Sequence, residues 1–375
     1  MKSSNQLYIP GVDHLRALAA FLVVCYHCIH SGNLVPQSHV PGFAALSLLE
    51  EGHGGVALFI TITGFIFTFI IGDRQVDYGR FLFNRFLRIF PLLFILSLFA
   101  AFVTQGVQEA DPLATLKFFN LFGGGTYWGT WTLVVEFQFY LFFPVFYQHF
   151  RDRLPGRWRK YLPYLGVILL ALCFRLIFWS QQGNVQDIGY WTIFGRIDQF
   201  MLGVVACLLL KDLEAAGIAQ QRWFAPLLAA VSLFLLVVVY HGFNQRMLFI
   251  TEPQSPSLWW LVVPTIEGLL YGGLLLGWVL LSRRWQGPVA RGFAYLGAIS
   301  YSTYLIHFGV LLLVLQMLPR LGLQLSNDVF THKLLMGLLL VYPLTLLLSV
   351  LSYELVEKPF FSRRVNYIKP ITRDD

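Results

Sequence analysis

Charge is scarce in this chain. Only 13% of its 375 residues are Asp, Glu, Lys or Arg, against 57% hydrophobic, with a mean hydropathy of +0.63. Apolar runs of roughly twenty residues recur along it, which excludes a large soluble core and points to an integral membrane protein. Cysteine is scarce as well. Cys25, Cys28, Cys173 and Cys207 all fall inside apolar segments, which argues against a disulfide framework and leaves the redox compartment open. No cleavable leader is expected, because the first apolar run follows a polar start, carries Arg16 and lacks a small-residue cleavage site. Gly123-Gly124-Gly125 lacks the Lys-Ser/Thr ending of a phosphate loop, so nucleotide cradling is not expected there. The absence of a fixed-period repeat weighs against an inverted-repeat carrier. The net charge of +7 is therefore read as membrane topology, loop by loop, and nucleic acid is not an expected partner.

What is present is a series of ten candidate spans, near 15–30, 56–71, 87–103, 131–149, 163–179, 191–210, 224–240, 258–281, 299–318 and 334–355. Placing the N-terminus inside the cell assigns 20 Lys and Arg to the tails and even-numbered connections and only 4 to the opposite side. Basic residues mark the cytoplasmic face of membrane proteins. The expected fold is thus an all-α polytopic helix bundle of about ten transmembrane helices with both termini cytoplasmic, a single domain over 1–375 with no appended soluble domain. The longest connections, near 31–55 and 104–130, fall on the outer side and are rich in Gly, Pro and aromatics.

Ionisable groups inside spans are expensive, so those that remain form the functional shortlist. Arg16 and His27 are eleven residues apart. At about 100° and 1.5 Å per residue they share a helix face, roughly 16 Å apart along the axis. Glu136 sits on a helix entering from outside, at an expected depth similar to that of His27, where a carboxylate can fix the tautomer of an imidazole acting as general base. The competing explanation is a buried polar pair that only holds helices together. Arg80, Asn84, Arg85 and Arg88 cluster near the mouth where Arg16 enters, and guanidiniums there suit a multiply phosphorylated ligand or, more ordinarily, anionic lipid.

Weaker candidates lie elsewhere. His307 is mid-span, where it lines the same cavity or simply packs. Arg196 and Asp198 pair with each other or bind a polar acceptor, and Glu267 has no partner nameable from sequence. Cys25, His27, Cys28 and His30 point in several directions on one helix, so no metal is expected. Trp131, with Trp128, Trp179, Trp191, Trp259 and Trp260, suits either sugar stacking or interfacial anchoring, and anchoring is favoured for most.

These residues carry a resemblance that covers essentially the whole chain. The stretch from Val12-Asp13-His14-Leu15-Arg16-Ala17 to His27 is followed by Gly55-Val56-Ala57-Leu58-Phe59, Thr63-Gly64-Phe65 and Arg85-Phe86-Leu87-Arg88-Ile89-Phe90-Pro91. Trp131-Thr132-Leu133, Glu136-Phe137-Gln138-Phe139-Tyr140, Tyr304-Leu305-Ile306-His307 and Glu357-Lys358-Pro359-Phe360 come later in the same order. The chain resembles the membrane-bound acyltransferase-3 family, which includes the O-acetylases of bacterial lipopolysaccharide, exopolysaccharide and nodulation factors. That resemblance implies transfer of an acyl group, usually acetyl, from cytoplasmic acyl-coenzyme A to a carbohydrate hydroxyl across the inner membrane. Acyl-coenzyme A would be a co-substrate rather than a resident cofactor. The acceptor would be a carbohydrate or lipid-linked glycan, and the bilayer the remaining partner. Arg16 and His27 match the family's essential arginine and histidine, and Arg85 and Arg88 its cytoplasmic arginine motif. His14 and Ala17 replace the usual glycines, and Thr61 to Thr63 a Phe/Ser-rich pattern; these departures bear on local packing. The alternative from another class is a proton-coupled secondary transporter or lipid-linked sugar flippase, which the arginine mouth and missing repeat disfavour. A structural scaffold ranks last, having no need of so many intramembrane charges.

Overall fold

The computed structural model describes residues 8–31, 42–104, 130–154, 156, 158–246 and 255–369. Gly123-Gly124-Gly125, Trp128, Lys117 and most of the two connections expected on the outer side lie outside them.

Ten long helical runs form the bundle. They are α1 Pro10–Ile29, α2 Gly54–Ile71, α3 Tyr78–Thr104, α4 Trp131–Arg153 and α5 Leu162–Gln182, then α6 Ile193–Ala215, α7 Phe224–Gln245, α8 Trp259–Ser282, α9 Ser300–Arg320 and α10 Val329–Phe361. Eight are long and apolar enough to cross a membrane, and the chain is an integral, multi-pass, all-α membrane protein. The other two, α3 and α4, fall at the remaining expected spans; Glu136, Gln138 and Gln148 dilute the hydropathy of α4. Two shorter helices, Gln186–Trp191 and Pro288–Ala298, complete the framework.

Local chemistry sets the boundaries. Pro10 opens α1, where its missing N–H is no loss. Gly183, at φ 74°, closes α5 in the left-handed conformation that glycine adopts without strain. Asp328 caps α10, its carboxylate accepting from the Thr331 N–H at 2.7 Å. Two π turns interrupt α10, at Gly337–Val341 and Tyr353–Glu357. The second turns Glu357 inward, where Ser302 of α9 donates to its carboxylate.

The centre of the bundle is α1, α2, α6 and α8, whose residues are mostly buried, while α5, α7 and α10 turn most of their surface outward. Leu169, Leu170, Phe234 and Leu347 on these outer helices are more than half exposed, as a lipid-facing belt requires. Small residues bring the central helices together: a Cβ on Gly64 would collide with the Phe200 carbonyl, and one on Gly203 with that of Thr61, so α2 and α6 touch backbone to backbone. His14, the departure noted above, is buried and pairs through Nε2 with the Ala290 carbonyl at 2.9 Å, tying α1 to helix Pro288–Ala298.

At one end the chain folds back on itself. Strand β1, Gln75–Val76, pairs antiparallel with β2, Ile368–Lys369. Buried Asn84 of α3 grips the same tail reciprocally, donating to the Val365 carbonyl at 2.7 Å and accepting from the Val365 N–H at 3.0 Å. The segment after α10 is thus a strap pinned across the first turns of α3.

Candidate active site

His27, near the C-terminal end of α1, is half-buried, and His307 of α9 lies beside it at 3% exposure. Their rings meet through His307 Nε2 and His27 Nδ1 at 3.1 Å. Phe308 and Tyr26 approach His27 edge-on at 5.7 and 5.3 Å. The protons follow from the partners. His307 Nδ1 lies 2.6 Å from the Tyr304 carbonyl, which can only accept, so Nδ1 carries the hydrogen and Nε2 of the neutral ring is left as an acceptor. His27 Nδ1 faces that lone pair and also the Val23 carbonyl at 3.0 Å. Two acceptors at one nitrogen place the hydrogen on His27 Nδ1 and leave Nε2 bare, the state a general base needs.

The expected partner of His27 was Glu136, and here the structure corrects the reading. Glu136 accepts from Thr63 Oγ1 of α2 at 3.1 Å and from the hydroxyl of Tyr140. Depth is the reason. Thr132 of α4 donates to the Tyr304 hydroxyl at 2.8 Å, fixing the level at which α4 and α9 meet. Glu136 lies one turn beyond Thr132 in one direction and His307 one turn beyond Tyr304 in the other. Glu136 belongs to the middle of the bundle, and His307 takes the place the sequence gave to the carboxylate.

The arginines gather at the strapped end. Arg16 pairs with Asp13 at 2.8 Å, and Asp13 in turn lies within electrostatic reach of Arg88, as do Glu136 and Glu357. Arg85 lies over the rings of Phe67, Phe81 and Tyr140, at 5.0, 5.5 and 5.9 Å, and its Nε is buried without a hydrogen-bond partner among the described residues. The strap adds a residue that sequence reading counted only as tail charge. Arg364 stacks on Phe361 at 3.7 Å, the ring that Arg88 also approaches at 6.0 Å. Nothing in Phe361-Ser362-Arg363-Arg364 separates Arg364 from its neighbour; only the strap does.

Arg196 and Asp198 do not pair with each other. Two residues apart on α6, they point to different sides. Arg196 pairs with Glu267 of α8 at 3.2 Å, and Asp198 with Arg175 of α5 at 2.6 Å, all four fully buried. Gln199 and Tyr240 also donate to Glu267, at 2.9 Å each. Every charge here has a mate, which makes this a structural network rather than an open binding site. Trp131 is buried beneath Tyr190 and Trp191 and lines an outward-facing cavity of ≈ 760 Å³ between α4, α5 and α6. Trp191 and Trp259 are exposed, as anchors would be, whereas Trp260 is core. Outside the spans, sequence reading missed His53, whose Nε2 meets Glu51 at 2.6 Å.

Comparison with known proteins bears on the whole chain. A family described as an acyltransferase domain matches residues 9–354. A protein of Staphylococcus aureus (strain COL), provisionally named an O-acetyltransferase, is 22% identical over 96% of this chain and 58% of its own length. A provisionally named peptidoglycan O-acetyltransferase of Bacillus subtilis (strain 168), YrhL, is 24% identical over 97% of this chain and 58% of its own. Acyltransferase MdmB of Streptomyces mycarofaciens is 24% identical over 81% of this chain and 79% of its own. The chain thus spans little more than half the length of the first two. No solved structure matches it.

Proposed function

The chain belongs to the acyltransferase family matched over residues 9–354, and from that premise we propose that it is a membrane O-acyltransferase. It moves an acyl group, acetyl in the first instance, from acyl-coenzyme A to a hydroxyl of a carbohydrate or lipid-linked glycan. The strapped end faces the cytoplasm of a bacterial inner membrane, in keeping with the basic residues there. Arg16, Arg85 and Arg88 hold the nucleotide phosphates, and the pantetheine arm runs into the bundle past Glu136, whose carboxylate is placed to accept from its amide N–H groups. The thioester then arrives beside His27.

The observation that carries this reading is the bare Nε2 of His27, fixed by the acceptors at Nδ1. Nε2 takes the proton of the acceptor hydroxyl as its oxygen attacks the thioester carbonyl. The carbon–sulfur bond breaks, and the departing thiolate takes the proton back from the imidazolium. The products are an ester and free coenzyme A, with protons and charge balanced. Transfer of acetyl from acetyl-coenzyme A to a surface glycan, followed by mass spectrometry, tests the scheme. His27→Ala should abolish transfer in a protein that still folds; full activity would overturn it. If the wild type consumes no acetyl-coenzyme A with any acceptor, movement of a substrate rather than chemistry becomes the better account.

A further inference from the structure

We propose that the strap after α10 is part of the donor site, and that Arg364 is a fourth phosphate-gripping side chain alongside Arg16, Arg85 and Arg88. The inference rests on the reading of that end as the place where acyl-coenzyme A enters. The strap is held at two places, by the pairing of Gln75–Val76 with Ile368–Lys369 and by both hydrogen bonds of Asn84 to Val365. Asn84 precedes Arg85, and Val365 follows Arg364, so the clamp sets the two arginines side by side. The Phe361 ring, stacked on Arg364 and approached by Arg88, joins the third.

Such crowding is unfavourable unless an anion answers it. Glu357 is a carboxylate close to both Arg88 and Arg364, and it is already engaged by Ser302. Arg364 Nε and Nη2 and Arg85 Nε are buried with no hydrogen-bond partner among those residues. Burial first, then Arg88 and Arg85, hold the Arg364 guanidinium down to about 8. Arginine yields its proton so reluctantly that an anion, rather than deprotonation, relieves the stress. Unpaired N–H groups arranged in planar forks match phosphate oxygens two at a time, and a donor with a diphosphate and a separate monophosphate supplies enough of them. An ordinary cytoplasmic arginine would be exposed and paired with bulk lipid or water; this one is half-buried, with Nε and Nη2 covered, beside the clamp.

The test is binding of acetyl-coenzyme A, its 3′-dephospho form and inorganic phosphate to the full chain in nanodiscs with and without anionic lipid. Arg364→Ala should bind acetyl-coenzyme A about 10- to 100-fold more weakly, the span expected for losing charge-assisted hydrogen bonds. The effect should fall on KM for the donor more than on kcat. Arg364→Lys should recover part of the loss, and Asn84→Ala, which frees the strap, should weaken binding in the same direction. Unchanged affinity in Arg364→Ala overturns the proposal. If anionic lipid stabilises the wild type and not Arg364→Ala while donor affinity stays equal, the arginine serves lipid and the proposal again fails. Arg85→Ala separates the two levels: weaker binding there with none in Arg364→Ala sinks only this inference, whereas no effect in either sinks the donor reading.

Discussion

Replacing His307 offers the sharpest test of how His27 is prepared. His307→Leu keeps an apolar side chain of similar bulk but removes the Nε2 acceptor at 3.1 Å from His27 Nδ1. The Val23 carbonyl at 3.0 Å remains, so the hydrogen still has one acceptor and the tautomer is weakened rather than reversed. What is lost is one hydrogen bond to a ring that becomes charged during turnover, worth about 1.5–3 kcal/mol. That converts to a fall in kcat of about 10- to 150-fold, with KM for the donor nearly unchanged because His307 touches none of the arginines. His307→Gln, whose amide oxygen can accept in the same place, should recover much of the rate. Single-turnover transfer from acetyl-coenzyme A gives kcat free of release steps, and thermal unfolding in detergent checks that each variant folds. Wild-type rates in His307→Leu would refute the dyad. A loss as complete as that of His27→Ala would instead make His307 a reacting group.

Two further outcomes follow from packing and burial. Gly203→Val drives a side chain into the Thr61 carbonyl and should lower stability by about 1–3 kcal/mol, seen as a lower unfolding midpoint; Gly166→Ala, with open space around it, should not. Burial, eased by His30 and aggravated by Glu50, pushes the Glu51 carboxyl up to about 8, so it favours the folded state below its ordinary value of 4.5 and loses that contribution as pH rises through about 8. The unfolding midpoint should therefore fall between about pH 5 and pH 9, and Glu51→Gln should flatten that limb; an unchanged slope in the variant would show that Glu51 is ionised throughout.

The spans were legible because hydropathy is a one-dimensional property. It needs no knowledge of which helix touches which, and the eight apolar helices fall where eight expected spans do. The placement of Arg16 and His27 on one helix was legible for the same reason. Partners across helices were not, because pairing depends on relative depth. Glu136 was placed level with His27 from the direction of α4 alone, whereas the Thr132–Tyr304 contact shows how far into the bundle it lies. The separate mates of Arg196 and Asp198 were within reach of the sequence, since residues two apart on a helix do not face each other. Arg364 was out of reach, because only a strand pairing from the far end of the chain makes it differ from Arg363.

The exchange of a carboxylate for an imidazole beside His27 has a physical consequence for the chemistry. A buried ionised carboxylate must be paid for at rest by desolvation, and it would sit near the thiolate and the developing oxyanion, both negative. In the proposed mechanism His307 orients His27 while leaving the resting pair neutral, so charge appears at that depth only while a proton is in transit. Fixed charge is kept instead at the strapped end, where Arg16, Arg85, Arg88 and Arg364 meet Asp13 and Glu357. Between the two ends run Glu136 with Thr63 and Tyr140, then Thr132 with Tyr304, a line of satisfied polar groups through otherwise apolar helices. Packing alone would not call for such a line, since apolar side chains would fill it at lower cost. A ligand with a charged head, amides along its arm and a neutral thioester at its tip would meet in turn arginines, a carboxylate with hydroxyls, and an uncharged base. The proposed donor, acyl-coenzyme A, carries its groups in that order.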